Sequence, residues 1–212
     1  MKLAKLPMQI GRGQSGGDGE VGPLRVAVLV GSARQGSLNR SLALAMMRLG
    51  DDRLAFDVPA LDELPLFNQS VLEAGMPQPV ARLQSTIQAA DGVLIVTPEH
   101  NRSITALLKN ALDWLSRPAG ANSWTGKPVA IAGASAGRLG TVAAQQHLRA
   151  ILGYLDMPTM GQPEVYLQLT ASLITPEGDI TDESTKAFLQ GYMHKFHHWV
   201  RTHRRVDAPA LG

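Results

Sequence analysis

The chain contains no cysteine, which excludes disulfides, thiolate metal centres and thiol redox chemistry and fits a reducing compartment. Any redox role therefore requires a bound cofactor. Charge of one sign is also scarce. The formal net charge of +2 is too small to argue for nucleic acid or an anionic membrane as a partner. No apolar segment approaches the length of a transmembrane helix. Lys2 and Lys5 precede a polar, Gly-rich run from Gly11 to Gly22 where a secretion signal would carry its apolar core. Residues 1–23 are therefore read as a flexible extension, and the cytoplasm is the expected location.

What is present is an ordinary globular balance: 212 residues, 44% hydrophobic and 18% charged, enough for one domain with a sizeable core. The expected organisation is an extension over 1–23, a single domain over 24–203 and a tail over 204–212. Leu24 to Gly31 reads as a buried strand and Leu54 to Val58 as a weaker one, followed by a loop from Pro59 to Asn68. Continuously apolar runs at Gly92–Thr97 and Val129–Ala134 read as further buried strands, with a fifth within Thr159–Leu167. Helical spacing marks Ser41–Leu49, Pro79–Ala90 (Val80, Leu83 and Ile87 on one face) and the stretch through Ile104, Leu107, Leu108, Ala111, Leu112 and Leu115. A helix over about Leu139–Leu152 is expected to bury Val142, Leu148, Ile151 and Leu152. A last helix starting near Thr181 or Asp182 is expected to turn Phe188, Tyr192, Phe196 and Trp199 inward. Alternation of this kind gives an α/β three-layer sandwich around a five-stranded parallel sheet, with the flavodoxin-like order 2-1-3-4-5.

In an open parallel sheet, ligands bind beyond the carboxyl ends of the strands. Three strand ends here carry concentrated chemistry. After the first, Ser32, Arg34, Ser37, Leu38, Asn39 and Arg40 gather hydroxyls, an amide and guanidiniums at a helix N-terminus, where free N–H groups favour a phosphate. That reading is preferred to an ordinary N-cap loop. After the third strand come Pro98, Glu99, His100, Asn101, Arg102 and Ser103. Here a flat ring stacked on His100 and bonded through Asn101 stands level with a plain helix entry capped by Ser103, with Glu99 merely solvated. After the fourth strand, the small residues of Gly133 to Gly140 let the backbone approach a ligand. Ser135 and Gly137 offer N–H groups there, although a tight strand-to-helix turn alone would read the same way.

These residues resemble the NADPH-dependent FMN reductase family, a flavodoxin-like group that includes chromate and quinone reductases. The likeness runs through Gly31-Ser32-x-Arg34-x-x-Ser37-x-Asn39-Arg40, Pro98-Glu99-x-Asn101-x-Ser103 and Leu108-Lys109-Asn110-Ala111-Leu112-Asp113-Trp114. It continues in Gly126-Lys127-Pro128 and Ala134-Ser135-x-Gly137. It implies that the first loop holds the FMN phosphate, that Pro98, Glu99, His100 and Asn101 meet the isoalloxazine, and that Ser135 and Gly137 approach its pyrimidine edge. His100 stands where the family usually has Tyr.

The resemblance implies a ping-pong reaction in which NADPH (or NADH) reduces the flavin. A quinone, free flavin, azo dye or metal oxyanion such as chromate then takes the electrons, and no catalytic acid or base is named. Arg102 or Arg138 is a candidate for the extra phosphate of NADPH. No Gly-x-Gly-x-x-Gly follows the first strand, so no separate dinucleotide domain is expected. The resemblance also implies a homodimer or homotetramer, with Asp113 and Trp114 serving either the core or a subunit interface. The rival readings are a non-catalytic flavodoxin-type carrier or flavin sensor, and a non-redox enzyme acting on a phosphorylated metabolite. His194, His197, His198 and His203 read as the polar face of the last helix in preference to a metal site.

Overall fold

The computed structural model describes residues 22–168 and 173–204. The expected extension therefore lies outside the described residues as far as residue 21, and the expected tail lies outside them from residue 205.

The first strand, β1 (Leu24–Val30), is buried at every position except Arg25. That pattern belongs to a parallel strand covered on both faces. β2 (Leu54–Asp57), β3 (Gly92–Val96), β4 (Val129–Ser135) and β5 (Val165–Gln168) complete one sheet in the order β2-β1-β3-β4-β5, every pairing parallel. This is the expected flavodoxin-like arrangement. From β1 the chain first builds outward to β2 and then returns to β3 on the other side, so the switch point lies between the carboxyl ends of β1 and β3.

Helices cover both faces. Alternate strand residues (Ala27, Leu29, Val93, Ile95, Val129, Ile131) pack under α3 (Gln78–Ala89), α4 (Ala106–Leu115) and α5 (Val142–Tyr154), beside the short α2 (Gln69–Glu73). The intervening ones (Val26, Val28, Leu94, Val96, Ala130, Ala132) pack against α1 (Leu38–Arg48) and α6 (Glu183–His203). Each fully buried Leu, Ile or Val contributes roughly 1.5–3 kcal/mol, and the two clusters give the sheet its rigidity. Val80, Leu83 and Ile87 form the buried face of α3 as expected.

Several helix details differ from expectation. On α6 the inward face is Leu189, Tyr192, Met193, Phe196 and Val200, while Phe188 is 39% exposed and Trp199 half-buried. The contact that selects this face is at β3: a Cβ on Gly92 would lie 2.6 Å from Val200 Cγ2, so the glycine accommodates the valine. The Tyr192 hydroxyl donates to Ile131 O at 2.8 Å, and burial pushes its phenol pKa up. Trp199 stays at the rim because its indole N–H donates to Pro158 O.

α5 begins at Val142 and not near Leu139. Gly140 adopts φ +58° in the preceding turn, beside exposed Leu139, and Val142 and Ile151 are only half-buried. Ala144 and Gln145 are buried alongside Leu148 and Leu152. α1 begins earlier than expected because Ser37 is its N-cap. Ile104 is buried but precedes α4.

Candidate active site at the carboxyl edge of the sheet

A cavity of about 160 Å³ opens at the switch point. Its walls bring together Ser32, Arg34, Ser37, Leu38 and Asn39 of the first loop with Pro98 and His100 of the second. Ala134, at the end of β4, closes it. Of the residues expected at the site, Arg40, Glu99, Asn101, Ser135 and Gly137 do not line this cavity. Ala134 was expected only as part of the small-residue stretch from Gly133 to Gly140 and not as a site residue by itself, because an alanine ending a strand carries no chemical signal.

The first loop leaves its donors unspent. Gly31 N–H makes the last bond to β3, to Val96 O. From Ser32 to Asn39, no main-chain N–H finds an acceptor among the described residues. Ser37 caps α1 only weakly through its side chain, accepting Arg40 N–H at 3.4 Å, so its O–H remains free to donate. Ser32 Oγ has no partner among the described residues. Arg34 donates to Gly36 O at 3.2 Å. The first turn of α1 holds no acidic residue, while Arg40 sits in that turn with its guanidinium exposed and unpaired among the described residues. A cation at the positive end of a helix dipole is unfavourable unless an anion is held there as well. This donor set suits a phosphate monoester.

Asn39 uses its side chain differently from expectation. Its Nδ2 donates to Ala134 O at 2.8 Å and its Oδ1 accepts Ala134 N–H at 2.9 Å. Its side-chain amide thus ties the first loop to β4, leaving the main-chain N–H for a ligand.

The second loop is a miniature hairpin. His100 and Ser103 exchange both main-chain bonds at 2.9 Å, and the two residues between them, Asn101 and Arg102, have φ +50° and +65°. These are the left-handed conformations of a two-residue turn, which Asn tolerates and Arg adopts at a cost of about 1–2 kcal/mol. The hairpin presents the His100 ring at the cavity, with neither ring nitrogen engaged among the described residues, and places Asn101 outside it. Because Ser103 belongs to the hairpin, it cannot cap the helix. Thr105 does so, accepting Leu108 N–H at 3.2 Å while its hydroxyl donates to Gly31 O at 2.8 Å. Glu99 is neither solvated nor aimed at the cavity: its Oε2 accepts Ala144 N–H at 3.1 Å.

The third loop is held by its own serine. Ser135 Oγ donates to Gly140 O at 2.7 Å and accepts Gly137 N–H at 3.1 Å. The Gly137 N–H is therefore engaged within the turn. Behind it, a Cβ on Gly133 would lie 2.0 Å from Thr141 Oγ1, so this position admits no side chain as packed.

Other expected features lie elsewhere. Trp114 is fully buried and donates to Pro65 O, which assigns it to the core, and Asp113 pairs with Lys109. On α6, His203 stacks on Trp199 with ring centroids 3.7 Å apart, and His194 lies beside Arg53. Among the described residues no three His, Cys, Asp or Glu side chains converge as metal ligands, and no helix is long and apolar enough to cross a membrane.

The chain is similar to several known proteins. A 2-hydroxy-1,4-benzoquinone reductase of a Burkholderia species is 45% identical over 85% of this chain and 98% of its own length. A quinone reductase of Pseudomonas putida is 42% identical over 85% and 97%. Among solved structures, the flavoenzyme NAD(P)H:(acceptor) oxidoreductase FerB of Paracoccus denitrificans superposes with a TM-score of 0.82 at 41% identity, covering 86% of this chain and all of that one. The family model for NADPH-dependent FMN reductase matches residues 24–171. With the switch-point cavity and its open phosphate-type donors already in place, these likenesses agree with one another: the chain belongs to the NADPH-dependent FMN reductase family.

Proposed function

We propose that this protein transfers electrons from NADPH or NADH, by way of bound FMN, to a small-molecule acceptor: a quinone first of all, and also free flavin, azo dyes or a metal oxyanion such as chromate. The observation that carries this reading is the unbroken run of unengaged N–H groups from Ser32 to Asn39 at the switch-point cavity. FMN, when bound, supplies the hydride chemistry, taking a hydride from the nicotinamide and passing its electrons onward.

The protein supplies position and charge. In this reading the N–H groups of residues 32–39, the Ser32 and Ser37 hydroxyls and Arg34 hold the phosphate, with Leu38 as the apolar wall and Arg40 adding positive charge at the helix end. Pro98 and His100 flank the ring and Asn101 stands at the rim. Ala134 forms the third wall, backed by the turn that Ser135 and Gly137 close. No side chain is required to move a proton. In this reading donor and acceptor use the same place in turn, a ping-pong order, and the extra phosphate of NADPH meets exposed Arg138, or Arg102 once it leaves its 3.4 Å pairing with Glu99.

We also propose a homo-oligomer, dimer or tetramer, because Leu66 is 81% exposed beside the Pro65 that Trp114 and Asn110 hold. A location in the cytoplasm fits the pyridine-nucleotide donor.

A visible spectrum taken before and after anaerobic NADPH addition tests the reading. Flavin absorbance that bleaches with NADPH and returns with a quinone is the expected result. Bound flavin that NADPH cannot reduce would identify an electron carrier or sensor. A colourless protein that fails to take up added FMN would point to a phosphorylated metabolite. Light scattering at micromolar concentration tests the assembly, which a monomer would refute.

A further inference from the structure

Glu99 lies between two residues that line the cavity, yet its carboxylate leaves the cavity for α5. The first turn of α5 lacks a side-chain cap of its own, because Thr141 makes no such bond. The Thr141 hydroxyl instead accepts from Gln145 Nε2 at 2.9 Å, deep in the core. The Ala144 N–H is satisfied by Glu99 Oε2 at 3.1 Å, from a loop 45 residues away in sequence. The glutamate side chain is only 13% exposed, and a carboxylate at this end of the helix is favoured by the dipole. The same hairpin reaches α5 a second time, where Ser103 Oγ lies 2.7 Å from His147 Nδ1. One face of α5 thus holds both ends of the segment that carries His100.

We propose that Glu99 is a positioning residue. By capping α5 it locks the His100–Ser103 hairpin against the helix that follows the 135–140 turn, so two of the three walls of the FMN cavity are fixed before the cofactor arrives. The proposal rests on the FMN reading above. A preformed site binds more tightly because fewer loops must be ordered on association. Reach to Ala144 matters most here: the other carboxylate oxygen meets Arg102 at 3.4 Å, but that arginine side chain is 72% exposed, and so exposed an ion pair contributes little.

The test uses the apo protein and four variants, with FMN titrated by flavin fluorescence and the Ala144 amide followed by hydrogen exchange. Glu99→Ala removes the cap. Glu99→Asp keeps the charge and shortens the reach, and Glu99→Gln keeps the reach and removes the charge. Asp182→Ala removes an equivalent cap from α6, where Asp182 accepts Thr185 N–H, and Asp182 does not line the cavity. Expected are an approximately tenfold weaker FMN Kd for Glu99→Ala and Glu99→Asp, a change within about threefold for Glu99→Gln, and none for Asp182→Ala despite its lower Tm. Exchange at Ala144 is expected to rise in the Ala and Asp variants even without flavin. If Glu99→Ala does not fold, the contrast between Asp and Gln carries the same information. Unchanged FMN affinity in Glu99→Ala or Glu99→Asp overturns the proposal, and so does a Gln variant that binds as poorly as the Asp one. Failure of the wild-type protein to bind FMN refutes the flavin reading instead, while exchange at Ala144 still reports the tether.

Discussion

The side-chain amide of Asn39 pairs with both main-chain groups of Ala134, 95 residues away in sequence, at 2.8 and 2.9 Å. It behaves as one extra rung of β4, contributed by the first turn of α1. Through it the phosphate-type loop and the third wall of the cavity move as one body.

Replacing Asn39 by Ala leaves the N–H and C=O of Ala134 buried without partners. The expected loss is about 2–4 kcal/mol, from two lost hydrogen bonds and their unsatisfied partners. Asn39→Asp should lose as much, since a carboxylate oxygen would face Ala134 O. Urea unfolding measures both, and a loss under 1 kcal/mol would mean that water replaces the amide.

Arg34 has the opposite profile. It is exposed and, among the described residues, bonded only to Gly36 O, so Arg34→Ala should leave Tm within a degree or two of wild type. FMN binding should weaken roughly tenfold, the scale of one charge-assisted bond. Riboflavin, which lacks the phosphate, is the control. An equal loss for riboflavin would place Arg34 away from the phosphate.

Gly133 is a packing constraint. Gly133→Ala puts a methyl group against Thr141 Oγ1 and Thr97 O, and this overpacking should cost about 1–3 kcal/mol. Pairing it with Thr141→Ser leaves the clashing oxygen and should rescue little. Thr141→Ala removes that oxygen and should rescue more. Thermal unfolding of the single and double variants distinguishes the two.

Stability should fall on mild acidification because of His197. Burial, followed by the repulsion of Arg53, holds its pKa below the ordinary value of 6.5, with Asp51 opposing and Arg201 and His194 adding to the repulsion. A histidine whose folded pKa is depressed binds its proton more readily when unfolded. Its contribution is therefore intact above pH 6.5 and declines as pH falls from there toward the folded pKa. His197→Gln should flatten the dependence of Tm on pH across that window, and an unchanged slope would exclude His197 as its source.

The sheet was legible because its strands are buried on both faces. Gly92–Val96 and Val129–Ala134 are unbroken apolar runs, and alternation with helices left few topologies. The first loop was legible because hydroxyls, Arg34 and a helix start cluster in sequence. Distant contacts were hidden. Nothing local to Glu99 announces that α5 lacks a cap, and nothing local to Asn39 names Ala134. The inward face of α6 was misread at Phe188 because its apolar residues span two adjoining stripes, and the choice between them depends on the space that Gly92 leaves for Val200. Ser103 was offered as a helix cap because its chemistry suits one, but its pairing with His100 commits it to a turn.

The first turn of α1, with no acid and, among the described residues, an unpaired Arg40 and a row of open N–H groups, also bears on the lifetime of the protein in the cell. Apo protein keeps that positive charge uncompensated, and any ligand that neutralises it stabilises only the folded chain. At a free ligand concentration one hundred times Kd the gain is about 2.7 kcal/mol, a substantial share of the stability of a domain. Abundance of the enzyme would then follow flavin supply: chains made when flavin is scarce would unfold and be degraded sooner than those made when it is plentiful.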